Sequence, residues 1–188
     1  FSLVPMIWGT LLTTVVAIVV AAPFGVAGAL FISEIAPDWL REIVKPAVEL
    51  LAGVPSIVYG FIGFTVINPY VGNLLSINPG ALFAIGLVIG FMALPTVISV
   101  AEDALSAVPE SMKDGSMAMG ATDWQTMKSV SIPTAFSGIS AAVLLGVGRA
   151  IGETMAATVM ISHSRRLPKP ELYNAFDSTE TLTTFIAA

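Results

Sequence analysis

Charged residues are missing from three long stretches of the chain, and this segregation constrains the fold more than any other feature. Positions 1–33, 50–101 and 129–148 contain no Asp, Glu, Lys or Arg. Because a helix needs about 20 apolar residues to cross a bilayer, the first stretch holds one span, the second holds two and the third opens another. Only 11% of the residues are charged, against about 25% in soluble domains. We therefore predict an all-α, polytopic transmembrane helix bundle.

The apolar segments predict about four full spans and the start of a fifth, within a single transmembrane domain over residues 1–188. We expect the full spans at about residues 5–31, 46–67, 81–100 and 132–161. Between them we expect a charged turn at 34–45, an uncharged loop at 68–80, a polar helical insert at 102–131 and a polar loop at 163–180. Residue 1 already lies in an apolar stretch and residue 181 begins another, so the chain is expected to be a piece of a longer protein.

Composition argues against several classes of function. The net charge is −5, whereas a surface for nucleic acid needs clustered Lys and Arg. The sequence has no cysteine and one histidine, so we expect neither a disulfide nor a metal site. It also lacks a G-x-x-x-x-G-K-[ST] run to cradle the phosphates of ATP. We therefore expect a protein that is not an enzyme and holds no cofactor, with its energy supplied by another subunit.

Two charged residues, Arg149 and Glu153, lie inside the last long predicted span. A lone charge near the centre of a bilayer costs about 2.5–3.5 kcal/mol on insertion scales. Residues four apart on one helix share a face, so the two side chains are expected to lie together. Two interpretations stay open at this point: a structural ion pair, or a polar path for a charged solute.

The second predicted span contains a helix-weakening sequence, Gly53-Val54-Pro55, which is followed by Ser56. Proline lacks a backbone N–H and its ring clashes with the carbonyl four residues back, so a break is expected here. Broken spans of transporters present backbone groups to ions. The Ser56 hydroxyl, with the freed N–H groups beside it, is therefore a candidate contact for an anion. The alternative is a simple packing kink.

The insert at 102–131 is predicted to fold as helix, turn and helix. Pro109 suits the first turn of a helix, Gly120 suits a left-handed helix end, and Thr122 with Gln125 forms the pattern of a capping box. Methionines on the first helix would offer an adaptable surface to another protein. An amphipathic helix lying on the membrane explains the same pattern.

The spacing within this insert resembles the EAA loop of ABC importer permeases, the MetI-like family. An acidic-small-small triplet at 114–116 is followed after three residues by glycine, and after nine more by an aliphatic-x-aliphatic-Pro ending at 130–133. The triplet departs from the family pattern, with Asp for Glu and Gly-Ser for Ala-Ala. The resemblance implies a cytoplasmic coupling loop within 102–131 that docks on an ATPase subunit. The residues it assigns to that contact are Asp114, Gly115, Ser116, Gly120 and Ala121.

Two further stretches resemble the phosphate-specific importer permeases, and their PstC-type subunit in particular. They are LAGVPSIVYG at 51–60 and GRAIGETMA at 148–156, with Thr-Leu-Thr at 181–183 before a last span. The resemblance covers nearly the whole chain and implies that inorganic phosphate is translocated by alternating access. In that family the residues at the positions of Arg149 and Glu153 are implicated in the phosphate path.

The same resemblance implies partners. They are a homologous PstA-type permease, an ABC ATPase dimer that holds ATP and Mg²⁺, and an extracytoplasmic phosphate-binding protein, all at the cell membrane. Three rival interpretations stay open. The chain would otherwise be an ABC permease for another oxyanion such as sulfate, a secondary transporter or channel without an ATPase, or a membrane assembly or sensor subunit that transports nothing.

Overall fold

The computed structural model describes residues 3–75, 81–160 and 181–187, and every regular element within these ranges is helical. In chain order the helices are α1 (Val4–Leu30), α2 (Asp38–Ala52), α3 (Ser56–Ile62), α4 (Asn68–Leu75), α5 (Leu82–Ser106), α6 (Glu110–Ala118), α7 (Asp123–Thr126), α8 (Ile132–Gly152), α9 (Met155–Met160) and α10 (Leu182–Ala187). Three π-helical turns in the described chain extend α1, join α3 to α4 and join α7 to α8; they are Phe31–Ile35, Gly63–Ile67 and Met127–Ser131.

Four helical stretches are long and apolar enough to cross a membrane. They are Val4–Ile35, Ser56–Leu74, Leu82–Ser106 and Asp123–Gly152. The predicted all-α, polytopic transmembrane bundle is therefore confirmed. Large apolar side chains on the outer faces of these stretches are exposed, as expected for surfaces that meet lipid or another membrane subunit rather than water.

Helices α1, α5 and α8 form the packed centre of the bundle. Small and β-branched side chains line their contacts, among them Ala21, Ala93, Val97 and Ala142, which are at most 3% exposed. In membranes such residues let helix backbones approach closely, and the gain comes from van der Waals packing rather than from excluding water. The sequence of these helices therefore favours a tight three-helix centre.

Two glycines on α5 set its closest approach to α1. A Cβ atom at position 86 would lie 2.7 Å from the Val16 Cβ, and one at position 90 would lie 3.0 Å from the Ala17 carbonyl oxygen. Even an alanine at Gly86 or Gly90 would therefore push the two helices apart. The spacing of the two glycines, four residues apart, is typical of close contacts between membrane helices.

Prolines inside two of the helical paths follow directly on π-helical turns. Pro69 comes two residues after the turn Gly63–Ile67, and Pro133 stands in the same relation to Met127–Ser131. The carbonyl that the Pro69 ring would meet in an α-helix belongs to Thr65, which lies inside the π turn. The wider turn shifts that carbonyl, so the helical path continues through the proline.

The region predicted as a charged turn is mostly helical. Helix α2 begins at Asp38, whereas the turn was expected to extend to residue 45. The side chains of Arg41 and Lys45, four residues apart, point to the same side of α2 and pair with carboxylates of α5. The turn prediction was wrong because it counted the charges without their helical spacing.

The second predicted span is displaced along the sequence. The expected break at 53–55 is present, but the membrane-length stretch runs Ser56–Leu74 instead of 46–67. The loop predicted at 68–80 is wrong for 68–75, which form α4, because Pro69 lies in the first turn of that helix, where a missing N–H costs little. Residues 76–80 lie outside the described part of the chain.

The boundaries of the polar insert and of the fourth predicted span also shift. Glu102 was expected to open the insert, but it lies in α5, which ends at Ser106. The fourth span was expected to reach residue 161, but α8 ends at Gly152. The polar loop predicted at 163–180 lies outside the described residues.

Candidate functional site

Arg149 lies near the end of α8 and reaches across to α5. Its guanidinium Nη1 donates a hydrogen bond of 2.6 Å to the Thr96 hydroxyl oxygen. Both side chains are half-buried, and at 1.5 Å per residue Thr96 lies about 15 Å along α5 from the helix end at Ser106. Among the described residues no other hydrogen bond or ion pair to Arg149 is found. A guanidinium has five N–H donors, so the described part of the chain leaves most of its capacity unused.

Glu153 does not share a helix face with Arg149. Helix α8 ends at Gly152, and Glu153 has extended backbone angles, φ −70° and ψ 122°. Its carboxylate Oε1 accepts a hydrogen bond of 2.9 Å from the backbone N–H of Ala156, at the start of α9. Its carbonyl oxygen accepts another, also of 2.9 Å, from the Thr183 hydroxyl. The expectation that the two charged residues lie one turn apart was therefore wrong, and the described ion pairs do not join them.

Ser56 is the first residue of α3 and follows the break at 53–55. The break leaves carbonyl groups at the end of α2 without helical partners. The Tyr59 hydroxyl satisfies one of them by donating a hydrogen bond of 3.0 Å to the Leu51 carbonyl oxygen. The Ser56 side chain is half-buried, and no hydrogen bond of its hydroxyl is found in the described chain.

The helix that Ser56 begins packs directly on the helix that follows Glu153. A Cβ atom at position 60 would lie 2.7 Å from the Cα atom of Ala156, so Gly60 brings the backbones of α3 and α9 into contact. Both helices start just after an interruption of a longer helical path. The two breaks, at 53–55 before Ser56 and at 153–154 with Glu153, therefore lie in one region of the bundle.

The residues that the EAA resemblance assigns to an ATPase contact lie on one segment, which follows the C-terminal end of α5. Asp114, Gly115 and Ser116 belong to α6, and Gly120 and Ala121 come after Met119, the residue that caps its C-terminal end. Gly120 has a φ of +89°, which confirms the predicted left-handed helix end. The predicted capping box of Thr122 and Gln125 is also formed, at the start of α7.

This segment presents apolar side chains outward. Met119 is 89% exposed and Trp124 is 66% exposed, and Met112 and Met117 are exposed beside them. We call these four residues the coupling surface. Exposed apolar groups of this kind mark a site of contact with another protein or with the membrane surface.

An ion pair fastens the coupling surface to the first span. Lys113 of α6 lies 2.6 Å from a carboxylate oxygen of Glu34, in the π-helical turn that extends α1. A cavity of about 290 Å³ lies next to this pair, with Ile35, Met117, Asp123, Trp124, Thr126 and Met127 in its wall. A displacement of α6 would therefore also move the end of α1, to which this ion pair joins it.

A buried carboxylate that the sequence did not single out joins α2 to α5. Glu102 is 1% exposed and pairs with Arg41 at 2.6 Å and with Lys45 at 2.5 Å. Ser106 donates a further hydrogen bond of 2.7 Å to Glu102, and Lys45 also pairs with Asp103 at 2.8 Å. The four charges sum to zero, so the cluster holds α2 on α5 without a net charge.

The same contacts stabilise the charged form of Lys45, which lies outside the membrane-length stretches. Its hydrogen bonds to the carboxylate of Asp103 and, second, to that of Glu102 raise the pKa of Lys45 above its ordinary value of 10.5. The signal in the sequence was the i, i+4 spacing of Arg41 and Lys45, opposite a carboxylate directly after an apolar run. It was missed because residues 34–45 were interpreted as a turn.

Comparison with models of protein families identifies the family of this chain. The model described as binding-protein-dependent transport system inner membrane component matches residues 21–188. The chain belongs to this family. It is therefore a multi-pass membrane protein of a transport permease family, and the family predicted from the motifs is confirmed.

Individual members of the permease family agree with this. The chain is 43% identical over 187 residues to the probable ABC transporter permease protein YqgH of Bacillus subtilis, covering 99% of this chain and 59% of that protein. It is 37% identical over 187 residues to the phosphate transport system permease protein PstC of Haemophilus influenzae, covering 89% of this chain and 59% of that protein. The chain thus spans about 59% of the length of these curated relatives.

A solved structure of a related architecture supports the fold. The crystal structure of an amino acid ABC transporter with histidines matches with a TM-score of 0.58 and 18% sequence identity. The match covers 79% of this chain and 69% of that one. At this identity the likeness shows a shared permease fold.

Proposed function

We propose that the chain is the permease subunit of an ATP-driven ABC importer, which translocates inorganic phosphate across the cell membrane by alternating access. Relatives named as phosphate permeases, such as the PstC protein of Pasteurella multocida at 35% identity over 188 residues, support the choice of substrate. The observation that carries the proposal is Arg149, a cation within a membrane-length helix that has one neutral partner and unused donors among the residues that the structure describes.

Arg149 matches the chemistry of phosphate. Phosphate at neutral pH carries one or two negative charges, and a guanidinium binds its oxygens with two parallel N–H donors. The hydrogen bond to Thr96 uses Nη1, and among the described residues the other donors stay available for an anion. No carboxylate of the described chain neutralises Arg149, which supports an attraction of this side chain for phosphate.

Glu153 and Ser56 are the further residues of the proposed path. The contact between α3 and α9 holds the two helix starts together, which supports their acting on one solute. The Glu153 carboxylate, fixed by the Ala156 N–H, would keep the path from trapping the anion and would accept a proton from a protonated phosphate. The Ser56 hydroxyl, which has no partner among the described residues, would donate to a phosphate oxygen.

The energy for transport would come from outside this chain. An ABC ATPase dimer holding ATP and Mg²⁺ would dock on α6 and the following turn, through Asp114, Gly115, Ser116, Gly120 and Ala121. The exposed coupling surface and its ion pair to the end of α1 support this role. A homologous PstA-type permease would complete the path, and an extracytoplasmic phosphate-binding protein would deliver the solute.

The test is uptake of labelled phosphate by the full-length subunit, reconstituted in vesicles with its partner permease, ATPase and binding protein. We expect uptake that needs ATP and resists excess sulfate. Arg149→Ala should reduce uptake by about 10- to 100-fold, because charge-assisted hydrogen bonds contribute about 1.5–3 kcal/mol, while the four components still assemble.

Each contrary result points to a rival. Uptake erased by sulfate would assign another oxyanion, and uptake that continues without ATP would assign a secondary transporter or channel. A complex without solute flux would be a membrane assembly or sensor. Unchanged uptake by Arg149→Ala at normal expression would remove Arg149 from the path.

A further inference from the structure

The hydrogen-bond partner of Arg149 is a neutral hydroxyl oxygen, and the lack of charge on this partner has a functional consequence. The Thr96 hydroxyl accepts the only hydrogen bond that the described chain provides to the Arg149 side chain. We propose that Thr96 is a positioning residue, which holds the Arg149 guanidinium for phosphate without neutralising its charge. This inference rests on the proposed function and adds to it a residue that no sequence motif indicates.

The charge of the partner decides how strongly Arg149 attracts an anion. A carboxylate at hydrogen-bond distance would offset the positive charge and would compete with phosphate for the same N–H donors. The nearest carboxylate along the chain is Glu153, whose Oε1 accepts from the Ala156 N–H, and the described ion pairs include none between Glu153 and Arg149. The interruption of α8 after Gly152 therefore takes the Glu153 carboxylate off the helix face that carries Arg149. Thr96 fixes the side chain while the attraction for an anion is retained.

The stiffness of Thr96 suits this role. A β-branched threonine on a helix has few χ1 rotamers, whereas a free arginine side chain has about 2 kcal/mol of rotamer entropy to lose. Thr96 lies on α5, the most buried of the membrane-length helices, and its neighbours Pro95 and Val97 are buried. The hydroxyl is thus presented from a fixed backbone to the flexible end of Arg149.

The position of the hydrogen bond between Arg149 and Thr96 is consistent with a positioning role. The bond joins residues 53 apart in sequence and links α5 to α8. Helix α5 leads into α6, which carries part of the coupling surface, and α8 leads to the break at Glu153. A shift of α5 relative to α8 would lengthen or shorten this contact. The orientation of the guanidinium would therefore follow the relative position of the two spans.

The experiment compares Thr96→Val with Thr96→Ser in the reconstituted full-length importer, with the binding protein saturated. Thr96→Val keeps the shape and removes the oxygen, and we expect uptake to fall roughly tenfold, as for loss of a hydrogen bond to a charged group. Thr96→Ser keeps the oxygen and should restore most of the uptake. Thr65→Val is the matched control, since in the described chain the Thr65 hydroxyl bonds within its own helical path, at the Phe61 carbonyl. Uptake by this variant should equal that of the unmodified protein.

A double-mutant cycle separates positioning from packing. In an Arg149→Lys background, which keeps the charge and loses the planar fork, Thr96→Val should cause much less than its single-variant loss. Equal losses in both backgrounds, or normal uptake by Thr96→Val alone, would overturn the positioning role while leaving phosphate transport in place. An unmodified importer that takes up no phosphate would overturn the proposed function and this inference together.

Discussion

Gly60 of α3 and Ala156 of α9 lie in backbone contact, with room for no side chain at position 60. A Cβ atom there would stand 2.7 Å from the Ala156 Cα and 3.0 Å from its carbonyl oxygen. These are backbone atoms, so they cannot rotate away as the end of a flexible side chain would. The close packing of α3 on α9, and with it the joining of the two helix breaks, depends on this glycine.

Gly60→Val should therefore destabilise the full-length subunit. Overpacking a closely fitted contact costs typically about 1–3 kcal/mol, and the thermal unfolding midpoint in detergent should fall accordingly. The matched control is Gly148→Ala, because a Cβ atom at position 148 would meet no described atom within 4 Å apart from its chain neighbours and its own helix backbone. A valine variant as stable as the unmodified protein would show that α3 and α9 are not in this contact.

The buried Glu102 should matter more than the exposed Asp103 beside it. Glu102→Gln leaves Arg41 and part of the Lys45 interaction without a counter-charge, and breaking a buried pair costs about 3–5 kcal/mol. Because both cations are about one-third exposed, we expect the lower end of that range or less. Asp103→Asn, at a position 64% exposed, should change stability by no more than about 1 kcal/mol. Equal effects of the two variants on the thermal unfolding midpoint would contradict the assigned cluster.

The α2–α5 cluster should weaken at high pH. The pKa of Lys45 is raised in the folded protein by hydrogen bonds to Asp103 and Glu102, so its contribution is complete below the ordinary value and is lost as pH rises through the folded value. Stability of the full-length subunit should therefore begin to fall above pH 10.5. Lys45→Met should remove this part of the pH dependence. A stability profile that is identical for both proteins above that pH would argue against the raised pKa.

Gly120 and Gly115 should respond to substitution in opposite ways. Gly120 has a φ of +89°, and a left-handed conformation costs other residues about 1–2 kcal/mol. Gly120→Leu should therefore distort the end of α6, reduce association with the ATPase and uncouple ATP hydrolysis from uptake. Gly115→Ala lies inside α6 with open space around it and should stabilise that helix by up to about 1 kcal/mol.

Co-purification of the ATPase with each full-length variant measures this difference. The alanine variant at position 115 restores an Ala of the family triplet and stiffens α6, so it should bind the ATPase at least as tightly as the unmodified protein. Normal ATPase association and transport by Gly120→Leu would refute the role assigned to this turn.

Local signals in the sequence were reliable where the structure is determined locally. The left-handed Gly120 and the capping box of Thr122 with Gln125 depend on residues at most a few positions apart, and both are present. The number of membrane-length stretches follows from composition, because an apolar run of sufficient length is typical of a membrane span. The bounds of the second and fourth stretches did not follow from it. The break before Ser56 follows from the covalent structure of Pro55.

Contacts between distant segments were not accessible in this way. The partners of Arg149 and Glu102 lie 53 and 61 residues away, and nothing local marks Thr96 or Arg41 as the other half of each pair. The separation of Arg149 from Glu153 was missed for a related reason. Helical spacing was assumed across a point where the Glu153 carboxylate caps the next helix instead. The roles of Arg149, Glu153 and Ser56 in a phosphate path stay predictions.

The joining of two interrupted helices also has an elastic consequence. An intact α-helix resists bending because each turn is tied to the next by backbone hydrogen bonds, whereas an interruption removes those ties locally. The interruptions at 53–55 and 153–154 both lie within about two turns of the contact between Gly60 and Ala156. Each interruption is a point where its helical path can bend, and the contact between Gly60 and Ala156 joins the two paths beside both points. Bending of one path at its interruption would therefore act on the other path through this contact.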